Sequence, residues 1–319
     1  MSILKRYSLD NLVRVLRDPS LLRGEMRRLR DDALELNAWC YRQLNRAERV
    51  DVMAEDWDNL VVLDACRYDM YAEQAGLGDT LERKLSPGSE SWEFMQESFV
   101  GRQFHDTVYV TANPHAYKLP DDTFHAVVNL LDDHWDDDHR TVMPSTMVEQ
   151  TLAAHERYPD KRIITHFMQP HFPFVGETGQ EMGHAGIEMQ LDADEQGDDP
   201  HPWNALFHGE VTDAGTILDA YRENLDVVLP HVEDLVDELS GKSVVTADHG
   251  NLVGERTYPI PLRTYGHPGG LHKRALIEVP WATIDSDERR DVTADPPTAR
   301  EELTDEVIED RLTNLGYKA

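Results

Sequence analysis

Between residues 59 and 280 the chain alternates short apolar runs with longer stretches of helical period. The runs are 59–64, 107–111, 126–130, 162–167, 243–248 and 276–280, rich in Val, Ile and Leu and continuous in character. A run of that kind predicts a strand buried on both faces. Helical patterns fall between them at about 90–99, 145–157 and 213–239. Strands spaced by helices predict an α/β fold with a mostly parallel sheet flanked by helices. In such a sheet, reactive groups belong just past the carboxyl ends of the strands. Residues 176–212 lose the periodicity and turn to Gly, acids and His, which reads as a lid-like insertion over the site. Pro296-Pro297 then precede a helix at about 303–315. The chain therefore divides into an N-terminal helical extension, 1–50, a domain, 57–285, and a helical tail, 286–319, expected to pack on that domain.

The extension carries its own pattern. Leu22, Met26, Leu29, Ala33, Leu36, Cys40 and Leu44 advance by three or four residues, a stripe along one side of a helix with near-heptad spacing. The stripe has three candidate uses: docking on its own domain, pairing with a second copy, or peripheral contact with an anionic membrane. Charge attraction to a membrane weakens in molar salt, whereas burial strengthens. Burial is therefore the expected mode, first of all against the chain's own domain.

Composition sharpens this. The 319 residues hold 61 Asp+Glu against 31 Lys+Arg, a formal net charge of −30, with only seven lysines. Acid-rich and lysine-poor chains suit a salt-in halophile. The first 50 residues are net positive, +4, so the rest carries −34. A surface so acidic repels phosphate backbones and sets nucleic acid aside as a partner. Two cysteines, Cys40 and Cys66, provide no disulfide framework. With no secretory or spanning segment in the sequence, the expected location is the cytoplasm.

Asp64 and Asp248 each directly follow a predicted strand, and His249 follows Asp248. Two carboxylates and an imidazole converging at one sheet edge make a site for a divalent cation, with Mn, Zn, Mg and Ca all compatible. Arg67, beyond the same strand end as Asp64, is a candidate for binding a phosphate oxygen, or else for a salt bridge to one of the many acids. The acid- and His-rich run 132–139 reads as a solvated loop.

The segment Thr246-Ala247-Asp248-His249-Gly250-Asn251-Leu252-Val253-Gly254-Glu255 resembles the metal-binding segment of the alkaline phosphatase superfamily, in its sulfatase-like branch. Val61-Val62-Leu63-Asp64 is similar to that family's first strand and its metal-binding Asp. Gln169-Pro170-His171-Phe172-Pro173-Phe174 is similar to the segment whose His faces the substrate's anionic group. The resemblance, covering about 57–285, implies an alkaline phosphatase-like sandwich and a metal-dependent hydrolase or transferase of phosphate esters on small-molecule, lipid or glycan substrates. One firmly bound ion is expected, on Asp64, Asp248, His249 and the nucleophile, with a second as an option. The family nucleophile opens a helix. The window Leu85-Ser86-Pro87-Gly88-Ser89-Glu90-Ser91-Trp92-Glu93-Phe94 resembles that of lipoteichoic acid synthases and aligns Ser89 with their nucleophile, Ser91 being the rival. His267, before the last strand, looks like the family's late active-site His, and His171 joins it as a catalytic candidate. The alternatives are a sulfuric ester hydrolase, disfavoured because Cys66-Arg67-Tyr68-Asp69 lacks the Cys-x-Pro-Ser-Arg of true sulfatases, and a degenerate binding or assembly protein.

Overall fold

The computed structural model describes residues 20–44, 47–182, 201–298 and 304–315. Its strands are Asn59–Leu63 (β1), Thr80–Leu85 (β2), Phe104–Thr111 (β3), Phe124–Asn129 (β4), Arg162–Phe167 (β5), Ser243–Thr246 (β6), Leu252–Thr257 (β7), Leu262–Gly266 (β8) and Glu278–Ile284 (β9). Seven of them form one sheet in the order β2-β9-β6-β1-β5-β3-β4, and β7 pairs with β8 as a separate hairpin. The five strands from β6 to β4 run parallel, while β9 is antiparallel to both β6 and β2. This is the mixed α/β, mostly parallel architecture that the alternation predicts.

Each central strand feeds two cores. In β1, Val61 and Leu63 enter one apolar cluster while Leu60 and Val62 enter the other. β3 divides likewise, with Val108 and Val110 on one side and Tyr109 on the other. Side chains alternate across a strand, so a continuous apolar run is what two covered faces require. Full burial of each such side chain is worth about 1.5–3 kcal/mol.

The helices are Ser20–Leu44 (α1), Tyr68–Gln74 (α2), Ser91–Phe99 (α3), Pro144–Arg157 (α4), Glu177–Met182 (α5), Pro202–His208 (α6), Ala214–Glu238 (α7), Arg274–Ile277 (α8) and Asp305–Asn314 (α9), with a 3-10 turn at Pro114–Lys118. Helix α7 starts on Asp213, whose carboxylate accepts from the Gly215 and Thr216 N–H groups. It buries Ile217, Ala220, Tyr221, Leu225, Val228 and Val232, the stripe expected of a helix lying across a sheet. In α9, Ile308 and Leu312 are buried, and Arg311 reaches the Leu131 carbonyl at 3.1 Å.

Three expectations change. The run 276–280 opens as the helical turn α8 before β9 begins at Glu278. Of the insertion, residues 183–200 lie outside the described residues, and α6 is packed, with Trp203, Leu206 and Phe207 buried. Helix α1 docks on the body, though not through its stripe. Leu34, Ala38 and Tyr41 enter a small apolar cluster with Leu252, Leu271 and Ile277, and Asn37 is fully buried beside them. The Asn37 amide donates to Thr257 Oγ1 (2.9 Å) and the Ile260 carbonyl (2.7 Å) and accepts from Ile260 N–H (2.9 Å). Those bonds fix which face turns inward, and Leu22, Met26, Leu29, Leu36 and Leu44 of the longer stripe are left exposed, with Ala33 and Cys40 half-buried.

Candidate active site

Asp64 sits one residue beyond β1 and Asp248 two beyond β6, neighbours in the sheet, and both are fully buried. The chain folds so that backbone donors meet Asp248: its Oδ1 accepts from Ala65 N–H (3.1 Å) and from His249 N–H (2.8 Å). Aiming the Ala65 N–H this way puts Ala65 at φ 59°, a left-handed conformation costing a β-carbon-bearing residue about 1–2 kcal/mol. Tyr221 Oη closes the turn by donating to the Ala65 carbonyl. Gly250 is required next to it, because a Cβ there would lie 2.2 Å from the Ala275 carbonyl oxygen.

Around these carboxylates stand groups of matching chemistry. His249 Nδ1 pairs with the Gly250 carbonyl at 2.7 Å, which fixes the donor on that nitrogen and leaves the Nε2 lone pair inward. That Nε2 lies 3.5 Å from both Asp64 Oδ1 and Asp248 Oδ2. His166, in β5, brings its Nε2 to 3.5 Å from Asp248 Oδ2, its Nδ1 being held by Tyr109 Oη at 2.7 Å. Asp248 Oδ2 and His166 Nε2 are both buried with no hydrogen-bond partner among the described residues. Burial opposes ionisation of Asp248, yet His249 and His166 more than offset it and hold the carboxyl well below the usual range. Orphaned, buried, convergent O and N donors are what a divalent cation requires. Asp64, His166 and Asp248 offer ligand atoms all within 4.8 Å of one another.

A second set adjoins the first. His171 Nε2 and His267 Nε2 face each other at 2.9 Å, and His201 completes a trio whose nitrogens lie within 4.8 Å. The His267 ring is 4.8 Å from the His249 ring. His171 Nδ1 is committed to the Phe172 carbonyl, and His201 Nε2 is buried without a partner among the described residues. Burial drives these imidazoles neutral: His171 is lowered to about 4 and His201 to about 3. Leu34, Trp203, Phe207 and Tyr265 line a cleft that also reaches His201 and His267.

The two serines part company. Ser91, the first residue of α3, places Oγ 3.2 Å from Asp64 Oδ2 and 3.3 Å from His249 Nε2. Ser89, the expected nucleophile, is not brought there. Its Oγ donates to Glu93 Oε2 (2.8 Å) and lies 3.3 Å from the Pro268 carbonyl, while its N–H donates to the same carboxylate (2.9 Å). The reason is the turn: Glu90 caps α3 by accepting from the Trp92 and Glu93 N–H groups, so the helix begins at Ser91 and that hydroxyl points across to β1. Glu93 also accepts from His272 and Gly270 N–H, tying the loop of His267 to α3. Burial raises its pKa, but the hydrogen bonds from His272 and Ser89 prevail and bring it to about 2.

Arg67 is likewise elsewhere. Its guanidinium is spent on Asp69 (2.6 Å), Glu255 (2.6 Å) and the Asn251 carbonyl (2.7 Å), bracing the loop after β6. Cys66 is a buried core residue whose thiol is pushed up by burial. Besides His201, Asn113 and His115 escaped the sequence reading. Asn113, two residues past β3, donates to Asp64 Oδ2 at 2.8 Å. His115 follows it, pairs with Lys118 Nζ at 2.9 Å and is lowered to about 3, by burial first and by Lys118 second. Asn113 obeys the strand-end rule that flagged Asp64, and Lys118 was one of only seven lysines. No helix of the described residues is long and apolar enough to cross a membrane.

No family model and no curated protein matches the chain. Among solved structures, the soluble domain of lipooligosaccharide phosphoethanolamine transferase A from Neisseria meningitidis is similar at 13% identity, over 70% of this chain and 75% of that one, with a TM-score of 0.43. The zinc complex of the C-terminal periplasmic domain of EcEptC from Escherichia coli gives 12% over 72% of each chain, TM-score 0.44. A protein assigned as a sulfatase from Bacteroides thetaiotaomicron gives 10% over 75% and 66%, TM-score 0.42. These likenesses, at 10–13% identity and TM-scores of 0.42–0.44, assign no family, substrate or activity to this chain, whose own mixed α/β, mostly parallel sheet stands on its topology.

Proposed function

We propose that the protein is a metal-dependent enzyme that cleaves or transfers a phosphate ester, with Ser91 as its nucleophile. The observation that carries this is Ser91 Oγ, at a helix start, between Asp64 Oδ2 at 3.2 Å and His249 Nε2 at 3.3 Å. A divalent cation held by Asp64, Asp248, His249 and His166 would supply Lewis-acid charge there. Ser91 Oγ attacks phosphorus in line, its proton passing to Asp64 Oδ2, and the bond from phosphorus to the leaving oxygen breaks. The resulting phosphoseryl group goes to water in a hydrolase or to an acceptor hydroxyl in a transferase. Lys118 and His115 hold non-bridging oxygens, the role expected of Arg67. The leaving oxygen takes its proton from water, while His171, His201 and His267, neutral through burial, would offer ring-nitrogen lone pairs to a second cation.

The test compares Ser91→Ala with Ser89→Ala on a chromogenic phosphodiester, with metal content read alongside. Ser91→Ala should lose turnover by about 10³-fold or more while keeping its metal, and Ser89→Ala should stay within about tenfold of wild type. Full activity in Ser91→Ala removes the proposed nucleophile. Turnover of sulfate esters alone would assign the site to the sulfatase-like reading, and no turnover of either with metal bound would favour a binding protein.

A further inference from the structure

Helix α1 is anchored on one side and carries exposed apolar residues on the other. Its docked side holds Leu34, Asn37, Ala38 and Tyr41, with Arg27 bonded to Glu210 at 2.8 Å and Arg30 over the Phe207 ring. On its other side Leu22 and Met26 are each 51% exposed, Leu29 43% and Leu36 44%. These positions repeat in steps of four, three and seven, so Leu22, Leu29 and Leu36 occupy d positions and Met26, Ala33 and Cys40 occupy a positions of a heptad. The stripe spans three heptads, about 30 Å of a helix rising 1.5 Å per residue.

We infer that this face pairs with the same face of a second copy, as a parallel two-stranded coiled coil. Charge selects the occupant. In the heptad frame Glu25 and Asp32 fall at g and Arg30 at e. Parallel pairing sets each g residue against the e residue five positions on in its mate, so Glu25 meets the partner's Arg30, twice by symmetry. Antiparallel pairing would instead set the acidic g positions against one another. An anionic bilayer is the poorer occupant because molar salt screens its attraction for the net-positive N-terminal segment, whereas burial of the apolar stripe is strengthened. The docked side of α1 lies on b, e and f positions, so each body stays on the outside of the pair and leaves the a/d seam open.

The full chain tests this by sedimentation velocity in molar KCl, with vesicle co-sedimentation in parallel. Wild type should sediment at twice the 36.5 kDa chain mass. Leu29→Glu with Leu36→Glu should weaken dimerisation by about 100-fold or more, with the melting temperature of the monomer retained. At about 0.1 M KCl, where charges are less screened, Glu25→Arg should weaken it by about tenfold, and adding Arg30→Glu should restore it. Because Arg30 also touches Phe207, the restored mass, not the melting temperature, is the readout. A monomeric wild type at micromolar concentration overturns the proposal. So does a dimer indifferent to the Leu29 and Leu36 changes, or a monomer that binds phosphatidylglycerol vesicles through them.

Discussion

Ser89 and Ser91 stand two positions apart, and the turn gives one to Glu93 and the other to Asp64. A motif alignment cannot separate them, because what decides is the capping register: Glu90 accepts the first helical N–H groups, so α3 starts at Ser91. Asp64, Asp248 and His249 were legible for the opposite reason. Each follows an unbroken apolar run whose end fixes its place in space. His166 lies inside such a run and was open only as a further metal ligand beside His171 and His267, since the apolar pattern marks a strand there and not which face the imidazole takes. Asn113 acts through Asp64, whose Oδ2 it holds at 2.8 Å, and is a positioning residue. Asn113→Ala should lower turnover by about 10–100-fold with the fold intact, and Asn113→Asp should not rescue it, since a carboxylate cannot donate. Wild-type turnover in Asn113→Ala would show that Asp64 needs no such hold.

At the scale of elements, the strands with two buried faces were readable, and β2 was not. Its sequence, Thr-Leu-Glu-Arg-Lys-Leu, is an exposed antiparallel edge that lacks any apolar run. Helix α1 was readable as a helix but not in its orientation, because a fully buried asparagine interrupts the apolar pattern of the docking face. Asn37→Ala would strip partners from Thr257 Oγ1 and from both polar groups of the Ile260 backbone. Leaving buried polar groups unmet costs about 1–3 kcal/mol, so thermal melting should come several degrees earlier. An unchanged transition would mean that water replaces the amide and that α1 is held by Leu34 and Tyr41 alone.

For the whole molecule, acid is the vulnerable side. His115 and His201, each lowered to about 3, and His171, lowered to about 4, stay neutral in the fold through burial, whereas free histidine titrates near 6.5. The unfolded chain therefore binds protons first as pH falls. Their contribution is intact above about 6.5 and declines toward pH 4, by up to about 1.4 kcal/mol per pH unit for each residue. Denaturant titrations at pH 7 and pH 5 should show that loss, and replacing His201 with Gln should make the slope shallower; an unaltered slope would mean that this imidazole is protonated in the fold. The same His201 caps the wall formed by α6, and that wall leans on α1 through Arg27–Glu210, Asp31–His208 and the Arg30–Phe207 stack. Leu34 itself lines the cleft. Part of the cleft wall is therefore supplied, or propped from behind, by a helix that carries none of the donor groups. Descendants of this chain can widen or narrow what they admit by exchanging residues between 27 and 34, leaving the carboxylates and imidazoles untouched, so the range of accepted molecules is free to diverge while the chemistry is inherited whole.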